Sequence, residues 1–163
     1  MAVFDMQVPK ELISQFEALR KSSDKIFEDM TRAGADVVLK NIKSNVPESF
    51  KNSEIMRCLK VTKTYKTPTD GGINTKVGFY GYFNNKNGER VPAELVCNVM
   101  EYGRSSSPYP KQPFLRKSFK KKEIRKAMRD EMVKDLMATG MTQAEASSCA
   151  DEALLDIKQR HGG

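Results

Sequence analysis

The chain has no tryptophan, one histidine and three cysteines in 163 residues, and each shortage removes a class of chemistry. The histidine, His161, stands in the terminal RHGG, so neither an imidazole base nor a histidine-based metal centre is expected. Cys58, Cys97 and Cys149 lie 39 and 52 residues apart. An odd count without a C-x-x-C pair indicates neither a disulfide framework nor a zinc site. Reduced, mostly buried thiols are the expectation. No apolar run approaches the roughly 18 residues that a membrane span requires, and no segment resembles a signal peptide. A soluble chain that stays where it is made, with no membrane partner, is therefore expected. The phosphate-binding loop G-x-x-x-x-G-K-[ST], the dinucleotide fingerprint G-x-G-x-x-G, the nucleophile elbow G-x-S-x-G and the zinc helix H-E-x-x-H are all missing. Ser105, Ser106 and Ser107 have no base near them in sequence, and a serine nucleophile needs one. The carboxylates are scattered beside lysines or arginines three or four places away, as on solvated helices. The reading is a non-enzyme with no catalytic residues, no cofactor and no metal.

What the chain does have is charge, unevenly placed. Its length suits one domain with a real core. That core is modest: 39% of residues are apolar, with nine methionines against eight phenylalanines. The formal net charge is +7. Lys111 to Lys134 carries ten Lys/Arg and three Asp/Glu, which leaves 18 of each sign on the rest of the chain. A localised basic segment fits nucleic acid, an acidic protein partner or a solvated helix face.

Hydrophobic periodicity gives the elements. MAVFDMQ reads as a short strand or loose arm. Pro9 fits the first turn of a helix in which Leu12, Ile13, Phe16 and Leu19 recur at helical spacing. Ser22 and Ser23 are placed to cap a second, longer helix with the stripe Ile26, Phe27, Met30, Ala33, Val37, Val38 and Ile42, ended by Pro47. Gly34 inside it either marks a close crossing or is merely tolerated, at about 1 kcal/mol relative to alanine. Residues 55–66 and 73–83 are predicted to form an antiparallel hairpin across the turn TPTDGG. Leu59, Val61 and Tyr65 share its one face. Ile73, Thr75, Val77 and Phe79 share a face of the second strand, with Lys76, Tyr80 and Tyr82 opposite. NNKNGE is a loop, and AELVCNVMEYG is a short helix ending at Gly103.

Beyond a proline-rich loop, residues 114–140 read as one long helix or two short ones, with a slip at Lys120-Lys121-Lys122. Leu115, Phe119, Val133 and Met137 fall on one side. Ile124, Ala127, Met128 and Met132 fall on the other. Either the helix bends there or it buries two faces, and two apolar faces favour an oligomer. Thr142 and Glu145 form a capping box for a last helix with the small-sided stripe Ala146, Cys149, Ala150, Ala153, Leu154 and Ile157. The fold class is α+β: a small antiparallel sheet packed by long helices, with a C-terminal helical extension.

The loop between the last two regions is the distinctive feature. Met100-Glu101-Tyr102-Gly103 closes a helix, and Pro113-Phe114-Leu115-Arg116 opens the basic segment about ten residues later. Gly103 supplies a left-handed exit from the helix. Pro108, Pro110 and Pro113 restrict the loop before it meets anything, which reduces the entropy lost on docking. Phe114 at the helix entry either plugs against the sheet, tying loop to core, or is with Tyr102 and Leu115 an ordinary core residue around the connection. Tyr109, between two prolines, is an expected contact. The order of elements and the two half-motifs resemble the tailed-bacteriophage family typified by gene product ten of a lambdoid siphophage, whose members join head to tail or complete the tail.

That resemblance covers about residues 10–130 and implies a division into a joining-type domain at 1–138 and an extension at 139–163. It implies a virion structural protein of the neck or tail top, made in the host bacterial cytoplasm. It also implies a hexameric homo-oligomeric ring that contacts neighbouring neck or tail proteins. DNA in the lumen would be contacted without sequence preference. Glu101, Tyr102, Gly103, Pro113, Phe114, Leu115 and Arg116 carry the family motif. Lys120, Lys121, Lys122, Arg125 and Lys126 are expected to contact a protein neighbour. The alternative is a nucleic-acid-binding module using the basic helix at 111–134, although that segment lacks interleaved aromatics after Phe119 and any known reader pattern.

Overall fold

The computed structural model describes residues 10–69, 71–104, 106 and 110–160, with side chains for 21–69, 71–104, 106 and 110–155. Outside the described residues lie the N-terminal strand or arm, Pro9, Ser105, Ser107, Pro108, Tyr109 and His161. The side chains of Leu12, Ile13, Phe16, Leu19 and Ile157 lie outside them too. The fold is α+β. The first helix, α1 (Lys10–Asn45), is 36 residues long. The two helices expected on either side of Ser22 and Ser23 are thus one. Two serines in a row weaken a helix only slightly, and residues on both sides favour it. The helix stops just ahead of Pro47, and a single turn, α2 (Glu48–Lys51), leads into a 3-10 turn at Glu54–Cys58.

The expected hairpin is present but bent. Strand β1 (Leu59–Val61) pairs with β4 (Val77–Phe79), and β2 (Tyr65–Lys66) with β3 (Ile73–Asn74), all antiparallel. Val61 lies opposite Val77 and Tyr65 opposite Asn74, so three residues of one strand oppose two of the other. That bulge flips the alternation. Tyr65, expected beside Leu59 and Val61, is instead 40% exposed. Two further expectations change. Residues 55–58 are helical, and Tyr82 leaves the first hairpin to begin β5 (Tyr82–Asn84), which pairs with β6 (Arg90–Pro92) around the NNKNGE turn. Gly81 (φ 90°) makes the kink between β4 and β5, and its carbonyl accepts the Ala93 N–H that begins α3 (Ala93–Tyr102).

The main core joins α1, both hairpins and α3 through Val38, Ile42, Ile55, Leu59, Phe79, Cys97 and Met100. After the loop come α4 (Leu115–Ser118), α5 (Lys121–Ala138) and α6 (Gln143–Arg160). The slip seen in the sequence is a break at Phe119 and Lys120, whose backbones leave the helical region (ψ 70° and 95°). The break resets the helical phase, so Leu115 and Phe119 do not share a face with Val133. Leu115 packs on the main core, Phe119 is exposed, and Val133 packs into a second cluster built on Met30, Met132 and Ala150. This cluster overturns the argument for an oligomer from two apolar faces. Helix α5 covers one face with α1 and the other with Cys149, Ala150, Ala153 and Leu154 of α6, within one subunit. The α6 start is the expected capping box: Thr142 Oγ1 donates to Glu145 Oε2 at 2.7 Å, and the Glu145 N–H returns to Thr142 Oγ1 at 3.4 Å.

Gly34 is the crossing point of α1 and α5. A Cβ there would lie 3.0 Å from Met128 Cγ and 3.2 Å from Ile124 Cγ2. Of the two readings of this glycine, close approach is the one that holds. Gly34→Leu should therefore overpack the crossing and lower unfolding free energy by about 1–3 kcal/mol in denaturant titration. An unchanged midpoint would mean that α5 moves aside freely.

Candidate functional site

The loop that singled itself out in the sequence is held by one carboxylate. Helix α3 buries Cys97, Met100 and Glu101 on the side facing the core, and Glu101 is only 1% exposed. A buried carboxylate is stable only with donors around it. The returning chain supplies them: the N–H groups of Phe114 and Leu115 donate to Oε2 at 2.8 and 2.9 Å. The Arg116 N–H and Nε donate to Oε1 at 3.3 and 2.8 Å. These N–H groups belong to the start of α4, where no intrahelical acceptor exists. Glu101 is thus a latch between the end of one helix and the start of another. Burial pushes its pKa up, yet the Arg116 and backbone bonds outweigh burial and bring it below the ordinary glutamate value.

The rest of the motif supports the latch. Gly103 (φ 78°) takes the chain out of α3, with its N–H on the Val99 carbonyl at 2.8 Å. Gln112 N–H returns to the Met100 carbonyl at 2.8 Å, just before Pro113, which has no N–H to satisfy. Phe114, 2% exposed, meets Phe79 edge-on at 6.1 Å between ring centres. Burial against the sheet fits both readings of this residue, plug and ordinary core. Tyr102 is not core: it is 58% exposed and lies with its ring centre 5.2 Å from the Arg116 guanidinium. Sequence reasoning missed a second set of ties. Buried Ser118 donates to the Phe114 carbonyl at 2.6 Å and accepts from Asn45 at 3.0 Å, while Asn41 donates to the Ser118 carbonyl. Only the helical spacing of Asn41 and Asn45 hints at this.

Past the latch, Lys120, Lys121, Lys122, Arg125 and Lys126 are all exposed. Lys120 reaches Glu123 at 3.1 Å. Glu123 is held below the ordinary range first by Asn41 and then by Lys120. Farther along, Arg129 binds Asp151 of α6 through two bonds, at 2.6 and 3.1 Å, which raises its pKa. The five cations proposed as contacts are thus on the surface. Tyr109 falls outside the described residues. Burial, then Glu101 and Cys58, pushes the Cys97 thiol up to about 12, so it stays protonated at neutral pH. Among the described residues no helix is long and apolar enough to cross a membrane, and no acidic, cysteine or histidine cluster has metal-site geometry.

Residues 10–82 match the model of the HK97-gp10-like family, described as "Bacteriophage HK97-gp10, putative tail-component". This stretch resembles a phage tail component. The HK97-gp10-like match spans just under half of the chain, from α1 to the first residue of β5, and ends before the Glu101 latch. No curated protein and no solved structure matches the chain.

Two outcomes test the latch. Phe114→Ala should lower unfolding free energy by about 3–5 kcal/mol, as loss of a buried phenylalanine does. A loss below about 1 kcal/mol would show that Phe114 is not the plug. A carboxylate with a lowered folded-state pKa contributes stability that is present above its unfolded pKa and lost as pH falls through the folded one. Wild type should therefore lose stability below about pH 4.3, the ordinary glutamate value. Asp135 opposes this trend. Burial, then Asp29 and Glu131, raises its pKa, so its protonation favours the fold. In Glu101→Gln the acid loss should shrink markedly while stability at neutral pH falls. Identical acid profiles in the two proteins would show that the latch carboxylate is not involved.

Proposed function

We propose that this protein is a virion structural component of the neck or tail top that assembles as a homo-oligomeric ring, hexameric by resemblance, and helps to join head to tail. The observation that carries the reading is the Glu101 latch, which ties a proline-rich loop at both ends to a rigid core. A loop so anchored loses little freedom when it docks. The HK97-gp10-like match over residues 10–82 supports the tail assignment. A ring needs two different surfaces that fit each other on neighbouring copies. The loop at Tyr109 is proposed as one contact. Exposed Lys120, Lys121, Lys122, Arg125 and Lys126 are proposed as a second, facing an acidic surface of a like subunit or an adjoining neck or tail protein. The protein acts by contact and not by catalysis, first in the host cytoplasm and then in the virion.

Light-scattering mass in solution is the direct test. Wild type should give a multiple of the 18.4 kDa chain mass. Tyr109→Ala, and separately Lys120, Lys121 and Lys122 changed together to Gln, should keep the melting temperature while reducing assembly of the ring or head–tail joining. A monomer at every concentration, alone and with the neighbouring tail proteins, would overturn the ring. Early melting of Tyr109→Ala would make that residue core and remove it as a contact.

A further inference from the structure

A second basic surface lies on the hairpins, far in sequence from the basic helix. Residues 54–92 carry Arg57, Lys60, Lys63, Lys66, Lys76, Lys86 and Arg90 against Glu54, Asp70 and Glu89, and hold three of the chain's five tyrosines; Arg57 pairs with Glu54 and Lys66 with Asp24 of α1. The register sorts these residues by face. Leu59, Val61, Val77 and Phe79 turn to the core, so Lys60, Lys76, Gly78 and Tyr80 occupy the outer face of the β1–β4 ribbon. The bulge adds Tyr65 to that face, opposite Asn74. Lys76 Nζ stands 5.2 Å from the centre of the Tyr65 ring, and the Tyr80 ring lies over Gly78, 3.5 Å from where a Cβ would be. On the adjoining ribbon, Phe83 turns to the same core, and on the other side Arg90 lies 4.5 Å from the Tyr82 ring centre. Tyr65, Tyr80 and Tyr82 are 40%, 39% and 57% exposed.

We propose that this outer hairpin face holds the phosphate backbone of double-stranded DNA, without reading its sequence. The charge is complementary to a polyanion, and none of the outward positions of the β1–β4 ladder is acidic. The Tyr65 and Tyr82 rings hold Lys76 and Arg90 in outward positions, and exposed phenol hydroxyls add donors of the kind that phosphate oxygens accept. The aromatic interleaving that the basic helix lacks is present here. Half-exposed rings with cations on their faces serve backbone contact better than base stacking, which is why the duplex is favoured over a single strand. The proposal stands independently of ring assembly, because it concerns one face of one subunit.

The test is fluorescence anisotropy with a labelled duplex of arbitrary sequence, read between about 50 and 200 mM salt. Wild type should bind with an affinity that falls with salt. Lys60, Lys76 and Arg90 changed together to Gln should weaken binding by at least about tenfold and flatten the log–log salt slope by roughly two to three. Lys60→Gln alone, at an exposed position, should flatten it by about one even if the triple variant folds poorly. Changing Lys120, Lys121 and Lys122 to Gln should leave DNA affinity in place. The proposal is overturned if wild type shows no salt-dependent binding, if the hairpin variants bind as wild type, or if the helix variant carries the loss. A preference for single strands that disappears on Tyr65→Ala would likewise overturn it in favour of base stacking. Loss of protein assembly in the hairpin variants without any DNA binding would assign the face to an acidic protein instead.

Discussion

A carboxylate 1% exposed, with four donor groups converging on it, is the constraint on which the second half of this fold depends. Without Glu101, the end of α3 would lose its side-chain tie to the start of α4, and the N–H groups of Phe114 and Leu115 would lack these acceptors in the interior. With it, the chain can leave α3 at Gly103, cross a proline-rich loop and return to within hydrogen-bonding distance. The return sets Phe114 against Phe79 and Ser118 against Asn41 and Asn45, which fixes where α5 begins. Such a network is valuable because it is fully satisfied; a buried charge with half its donors would be a liability.

The direction of α5 follows from that anchor. Its apolar residues are spread round the helix because it is an inner helix, between α1 and α6, and not because one face waits for another molecule. The Gly34 contact and the small residues of α6 allow close approach on either side. Two-sided apolarity in a small protein is therefore no sign of oligomer formation here. The ring reading rests instead on the likeness to phage tail components and on the anchored loop.

Two cationic surfaces emerge on one subunit, and their construction differs. On α5 the cations rise from a helix whose neighbouring carboxylates, Glu123, Glu131 and Asp151, bind several of them. On the hairpins Lys76 and Arg90 lie against tyrosine rings, while Arg57 and Lys66 pair with Glu54 and Asp24. Salt bridges at a surface contribute little to stability and can exchange partners. A face of that kind suits a protein neighbour of opposite charge. Cations held on the faces of rings suit a polyanion. The division offers a physical reason for a protein of this size to carry its positive charge in two separate places.

Periodicity and punctuation in the sequence determined the long stretches: the helical stripe from Ile26 to Ile42, the stop at Pro47, the turn between β2 and β3, the exit at Gly103 and the capping box at Thr142. These signals are local, so no other part of the chain can cancel them. The sequence also marked Glu101 and Phe114 as members of a motif. What it could not supply was the reason they matter, because the Glu101 donors lie 13 to 15 residues away and meet it only when the loop closes. The same limit explains the exposed Tyr65, the unbroken α1, the β5–β6 pairing and the covered second face of α5. A one-residue bulge turns a side chain from core to solvent with no change in alternation that a reader of the sequence can see. Whether a helix ends at two serines, or an apolar face is free, is decided by what packs against it, and only the tertiary structure brings those partners together.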